Sequence, residues 1–231
     1  MSRPTSRKAI AATVAWLALA AVVWAQGAWR KPPEKWSDKE AKKILNDSPW
    51  ARTSILPYHP YTEMGTGVQV GTGVRVGQVP RDPLEPQGRR SHWPIITRWS
   101  SSKTIRRALN RTGEGLVSGD RPSKWIEITV ISASFTEPLP YWKEEDLRGS
   151  TWIKFGRNDK QREPDDVRVD RRSTYYHADA YVFAFKSVAG DGRALVDEGV
   201  KEIEFQCRLG PVAIRAKFEP AKMVAHDGPD Y

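Results

Sequence analysis

The segment KEIEFQCRLGPVAIRAKFEP, residues 201–220, decides the fold because apolar and polar side chains alternate along both of its halves. Successive side chains of a strand point to opposite faces, so each half predicts a strand with one buried face and one solvated face. Gly210 and Pro211 interrupt the alternation for two residues, which is the length of a tight hairpin turn. We therefore predict a β-hairpin over residues 203–218.

The turn fixes the register of this hairpin. It places Cys207 opposite Ile214 on the apolar face and Glu204 opposite Lys217 on the polar face. Cys207 is the one cysteine of the chain, so the fold has no intramolecular disulfide. A thiol on the apolar side of a strand is typical of a small core residue, and the alternative, a catalytic nucleophile, fits this position less well.

Upstream of the hairpin, strand-like alternation recurs at 95–99, 125–131 and 181–185. By contrast, the segment 154–172 is so rich in charge that we predict an exposed connection there. Together these segments predict an α+β fold, in which an antiparallel sheet of about five strands ends in the hairpin and carries two short helices on one side. The predicted core residues are Ile126, Ile128, Val130, Phe183, Phe205, Leu209, Ile214 and Phe218.

Both helices have recognisable starts. Ser37 followed by Glu40 forms a capping box, and Pro49 ends the first helix because proline disfavours helical backbone in the residue before it. Ser101 or Ser102 is a suitable N-cap for the second helix.

The N-terminus predicts export. Residues 1–8 are basic and lack acids, the run 9–25 is apolar, and Val23 and Ala25 are the small residues of a signal peptidase site. The alternative is an uncleaved membrane anchor, although seventeen residues fall short of the roughly 20 that span a bilayer. Membrane contact is expected only in that case. Cleavage leaves 34 basic against 28 acidic residues, a mild excess of +6 that suits an anionic partner outside the cytoplasm.

The chain therefore divides into five regions. They are a signal peptide (1–25), an N-terminal helix with an SPW turn (26–55), a Gly/Pro-rich loop or flexible hairpin (56–92), an α+β core domain (93–220) and a tail (221–231).

The stretch MGTGVQVGTGVRVGQVP, residues 64–80, has five glycines and at first suggests a phosphate-binding loop. It lacks the Lys and Ser/Thr of a P-loop, and it leads into proline instead of a helix. We interpret it as a loop or a small hairpin.

Catalytic patterns are also missing. The four histidines have no metal-ligand spacing, no G-x-S-x-G sequence occurs, and the acidic clusters 144–146 and 165–166 lie in solvated stretches. We predict no catalytic residue, metal or cofactor. Carboxylates brought together only by the fold would escape this reasoning, so a glycosidase-like site stays open.

Aromatic and basic residues concentrate between positions 93 and 111, where they suggest a surface for an anionic partner. An ordinary solvated helix face is the simpler alternative for the basic residues. The candidate surface comprises Trp93, Arg98, Trp99, Lys103, Arg106, Arg107 and Arg111.

Three blocks of the chain, KWSDKEAKKILNDSPWAR, IITRWSSSKTIRRAL and EIEFQCRLGPVAIRAKFEPAKMV, resemble a family of uncharacterised bacterial secreted proteins. The resemblance implies an early SPWA turn, an RW strand leading into a helix, a Gly-rich insert and a late hairpin. It implies no activity and no site residue.

The sequence thus predicts a periplasmic or secreted, non-enzymatic binding or assembly protein of the cell envelope, with an envelope protein or an anionic polymer as its partner. A cell-wall or polysaccharide hydrolase is the first alternative. A nucleic-acid binder is a weaker alternative because an exported protein rarely meets nucleic acid.

Overall fold

A computed structural model describes residues 27–56, 93–114, 124–133, 139–170, 177–197, 199–210 and 212–231. The predicted signal peptide and the Gly-rich stretch 64–80 lie outside these ranges, and the predictions about them stay predictions. Within the described ranges the α-helices are α1 (Asp38–Asn46), α2 (Lys103–Thr112) and α3 (Glu144–Gly149). The strands are β1 (Ala51–Leu56), β2 (Trp93–Trp99), β3 (Trp125–Ser132), β4 (Leu139–Pro140), β5 (Thr151–Phe155), β6 (Asp166–Asp170), β7 (His177–Ala178), β8 (Ala180–Lys186), β9 (Ile203–Leu209), β10 (Val212–Phe218), β11 (Val224–Ala225) and β12 (Gly228–Pro229).

The larger strands form two antiparallel sheets. The first has five strands in the order β1-β2-β3-β8-β6, and the second has three in the order β10-β9-β5. The α+β class and the five-stranded antiparallel sheet are therefore confirmed. The hairpin β9-β10, however, does not end the five-stranded sheet as predicted, because β9 pairs with β5 and builds a sheet of its own.

The core lies between the two sheets. Phe183 of the first sheet has its ring centroid 5.5 Å from that of Phe205 in the second, and Trp99 and Phe218 are 5.3 Å apart. The predicted core is confirmed, since all eight residues named for it are at most 2% exposed. The burial of large apolar side chains between sheets is the dominant stabilising term of such a fold.

The hairpin register is confirmed as well. Cys207 pairs with Ile214 and Glu204 with Lys217, and the ladder closes at Leu209 and Val212. Gly210 has a φ of 58°, and an added Cβ would lie 3.2 Å from the Trp142 ring, so glycine is required at this turn.

Local signals also position the helices. The Ser37 hydroxyl accepts from the Glu40 N–H, and the Glu40 carboxylate accepts from the Ser37 N–H, which is the predicted capping box. The Ser102 hydroxyl caps α2 by accepting from Ile105 N–H at 3.0 Å. Helices α1 and α2 pack on each other, and α1 also packs on β1 and β2.

The prediction of an exposed connection over residues 154–172 is wrong. The charged segment 154–172 contains β6, whose Val167 faces the core while Arg168, on the opposite face, pairs with Glu127 at 2.8 Å. A strand can form in this charged segment because β6 is an edge strand with one polar face. The N-terminal region 26–55 also holds more than a helix and a turn, since β1 begins directly after Trp50.

The segment 221–231, predicted as a tail, is packed into the domain. Met223 is fully buried, and the Asp230 carboxylate accepts from the backbone N–H groups of Lys103 and Thr104 at 2.8 and 2.7 Å. A carboxylate at this place satisfies free donors of the first turn of α2 and suits the positive end of the helix dipole. The carbonyl of Asp230 also accepts a hydrogen bond from Trp50 Nε1.

Candidate functional site

The predicted interaction surface is divided by the fold. Trp93, Arg98 and Trp99 lie on β2, the second strand of the five-stranded sheet, and are 0%, 2% and 0% exposed. An inner strand covered on both faces offers no side chain to a partner, so these three residues do not belong to an exposed surface. This part of the prediction is wrong.

Arg98 has a structural role instead. Its Nε donates to the Leu45 carbonyl at 2.7 Å, its Nη2 donates to Asn46 Oδ1 at 3.1 Å, and the same Nη2 lies 3.5 Å from the Glu114 carboxylate. Burial lowers the pKa of Arg98 to about 10, and Glu114 opposes that shift. The guanidinium remains charged at neutral pH and satisfies the C-terminal end of α1, where a cation is favourable.

The four cations of α2 are accessible to different degrees, and most of them are already engaged. Arg107 pairs with Asp227 and Arg111 with Asp38, both at 3.1 Å. Arg106 Nη2 donates to the Ser101 carbonyl at 2.9 Å. Within the described ranges, the side chain of Lys103 alone among the four has no such partner. The α2 face therefore carries less free positive charge than its sequence suggests.

A different basic surface lies on the outer face of the three-stranded sheet. There a concavity of about 440 Å³ opens at the end of β5 and the start of β9. We call it the basic concavity. Its lining consists of Lys154, Gly156, Arg157, Gly199, Lys201, Glu202, Glu204 and Lys217.

Strand register builds this concavity. Thr151, Ile153 and Phe155 point into the core, so the alternate residue Lys154 must point outward. Lys154 lies opposite Glu204, and Glu204 lies opposite Lys217, which gives one outward row across all three strands.

Glycine shapes the rim. Gly156 has a φ of 82° and donates its backbone N–H to the Glu202 carbonyl at 2.8 Å, which joins the end of β5 to the start of β9. The residues around this junction therefore converge on one opening.

The charges of the basic concavity are unevenly paired. Lys217 Nζ lies 2.9 Å from Glu202, and the hydrogen bond to that carboxylate raises the pKa of Lys217. In the part of the chain that the structure describes, Lys154, Arg157 and Lys201 have no ion-pair partner. Four cations thus meet two carboxylates, so the lining carries a net charge of +2 that can attract an anion.

Sequence reasoning missed this surface for an identifiable reason. Lys154 and Arg157 lie in the segment predicted as a connection, and the alternation of the hairpin predicts Lys217 only as part of its polar face. The alternation of TWIKF, residues 151–155, is the signal that would have revealed β5 and its outward lysine.

The described residues contain no cluster of His, Cys, Asp or Glu able to hold a metal ion. In the same ranges no helix has the length and apolarity needed to cross a membrane.

Cys207 is a core residue, as predicted. It is fully buried, and burial raises the pKa of its thiol to about 12. Since the thiolate is the reactive form, this position excludes the thiol from nucleophilic chemistry in the folded state.

We expect Cys207 to resist alkylation in the native protein. At about pH 8, near the unperturbed thiol pKa of about 8.5, iodoacetamide should modify it only after the chain is unfolded by guanidinium. Mass spectrometry over time in native and denaturing buffer measures this. Equal labelling rates in the two buffers would contradict the buried position.

Comparison of the chain with protein-family models, with curated proteins and with solved structures found no match in any of the three. The resemblance to a family of bacterial secreted proteins therefore stays a prediction.

Proposed function

We propose that this chain is an exported, non-enzymatic protein of the bacterial cell envelope that binds an anionic envelope component at the basic concavity. The single observation that carries the proposal is that three cations around one opening, Lys154, Arg157 and Lys201, have no ion-pair partner among the described residues. Opposite charges at close range favour binding and steer a charged ligand towards the site. The export part of the proposal rests on the signal-peptide pattern of residues 1–25.

The binding function is tested by removing charge from the concavity. We expect the double variant Lys154→Ala/Lys201→Ala to bind isolated envelope material about 25-fold more weakly, from about 1 kcal/mol for each cation beside an anionic surface. Binding should also weaken between about 0.05 M and about 0.5 M salt because ions screen exposed charges. Sedimentation of the purified protein with the envelope fraction measures both effects.

The matched control is Lys39→Ala/Lys42→Ala, which removes the same charge from exposed positions on α1. We expect this variant to bind as the unmodified protein does. Equal losses in the two double variants would show that net charge, and not the concavity, governs binding, and would overturn the proposal.

A polysaccharide hydrolase is the second candidate, because Glu202 and Glu204 both line the basic concavity. Glycosidases place their two carboxylates on opposite sides of the scissile bond. Here the two acids are neighbours along one chain segment, and Lys217 neutralises Glu202. Turnover of cell-wall polysaccharide that disappears in Glu202→Gln or Glu204→Gln would favour the hydrolase over the binding protein.

A further inference from the structure

We propose that the ligand of the outer face of the three-stranded sheet is an acidic polysaccharide, which Trp152 and the basic concavity bind together. This inference rests on the proposed binding function and names the chemical class of its ligand. It is carried by the residues that the strand register places beside Lys154.

Two parallel rows of side chains cross this face. The first is Lys154, Glu204 and Lys217. The second, one strand repeat away, is Trp152, Gln206 and Arg215. Trp152 is half-buried, and it is the outward-facing residue of β5 next to Lys154, about 7 Å along the same strand.

This combination suits a charged sugar chain. The electron-rich face of an indole attracts the C–H groups of a sugar ring, and cations bind the carboxylate or other anionic group that the ring carries. Glu204 and the amide of Gln206 supply hydrogen-bonding groups for hydroxyls between them. Gln206 is held in place because its Oε1 accepts from Arg215 Nε at 2.8 Å.

The spacing of charge argues against nucleic acid. Lys154 and Lys217 are two strand spacings apart, or about 10 Å, with the carboxylate of Glu204 between them. Each strand of a nucleic-acid duplex carries one phosphate for about every 3.4 Å of helix axis and would place negative charge against that carboxylate. A polysaccharide in which sugars that carry one anionic group alternate with uncharged sugars fits the alternation of Lys154, Glu204 and Lys217.

The composition of the face argues against a lipid bilayer. Peripheral membrane binding combines cations with exposed apolar side chains that enter the bilayer. The large apolar residues that the described ranges expose, Ile55, Tyr141, Val188 and Tyr231, belong neither to the two rows nor to the lining of the basic concavity.

The test titrates the full protein with hyaluronan oligosaccharides, which carry a carboxylate on every second sugar, and with their methyl esters, which carry none. We expect the acidic oligosaccharide to bind and the ester to bind at least about tenfold more weakly. Trp152→Ala should weaken binding about tenfold or more, the loss typical of an aromatic anchor. Lys154→Ala should weaken it about fivefold, from one cation beside an anion. Calorimetry gives the affinities, and circular dichroism establishes that each variant is folded.

Polyphosphate and vesicles of phosphatidylglycerol are the competing probes. Binding to either that depends on Lys154 but not on Trp152, with no binding of the oligosaccharide, would overturn the polysaccharide inference and leave the proposed anion-binding function standing. If neither the anionic probes nor the envelope fraction bind, both the polysaccharide inference and the proposed anion-binding function are overturned. Loss of oligosaccharide binding in Trp152→Phe as large as in Trp152→Ala would contradict stacking, because phenylalanine retains an aromatic face.

Discussion

Replacing Phe205 by alanine is expected to lower the free energy of unfolding by about 3–5 kcal/mol, the cost of emptying a buried phenylalanine site. Phe205 is fully buried at the centre of the sandwich, where its ring contacts Phe183 and Phe185 of the opposite sheet at centroid distances of 5.5 and 6.5 Å. The cavity would separate the two sheets at the place where they are held together. Denaturant unfolding followed by tryptophan fluorescence measures the change.

Arg208→Ala is the matched control for this variant. Arg208 lies on the same strand but points outward and is exposed, so its removal should change the free energy of unfolding by no more than about 0.5 kcal/mol. An unchanged unfolding midpoint for Phe205→Ala would refute the placement of β9 against the five-stranded sheet.

Replacing Arg98 by alanine is the second large effect that we expect. The variant leaves the Leu45 carbonyl and the Asn46 side chain without their donor, and each hydrogen bond to a charged group contributes about 1.5–3 kcal/mol. We therefore expect the free energy of unfolding to fall by about 2–4 kcal/mol, after allowing for water that fills the space left by the shorter side chain. Arg98→Lys should recover only part of it, because an ammonium cannot reproduce the planar fork of donors.

Arg111→Ala serves as the comparison for Arg98, since both arginines pair with a carboxylate. The pair of Arg111 with Asp38 is exposed, and such pairs contribute at most about 1 kcal/mol. Similar unfolding midpoints for the two variants would mean that Arg98 is not the buried cap described above. Thermal or denaturant melts under identical conditions decide between these outcomes.

Elements of the fold could be predicted from the sequence where one local pattern determines the structure. The hairpin β9-β10 follows from alternation and a two-residue turn, and the helix starts follow from Ser37 and Ser102, whose side chains reach donors three residues away. No distant residue is needed to make either structure.

Prediction from the sequence failed where the role of a side chain depends on a partner that is distant in the chain. Arg98 resembles a surface cation until the carbonyl of Leu45, 53 residues earlier, is brought to it. The charged strand β6 resembles a loop because Glu127, the partner of Arg168, belongs to another strand. The basic concavity has the same origin, since Lys154 and Lys217 become neighbours only across Glu204.

The contacts of Asp230 have a consequence for the timing of folding. Asp230 caps the first turn of α2 and accepts a hydrogen bond from the indole N–H of Trp50, yet it is synthesised long after both. Pairing across 180 residues in the chain costs loop-closure entropy and slows folding. The domain cannot close completely until residue 230 has left the ribosome.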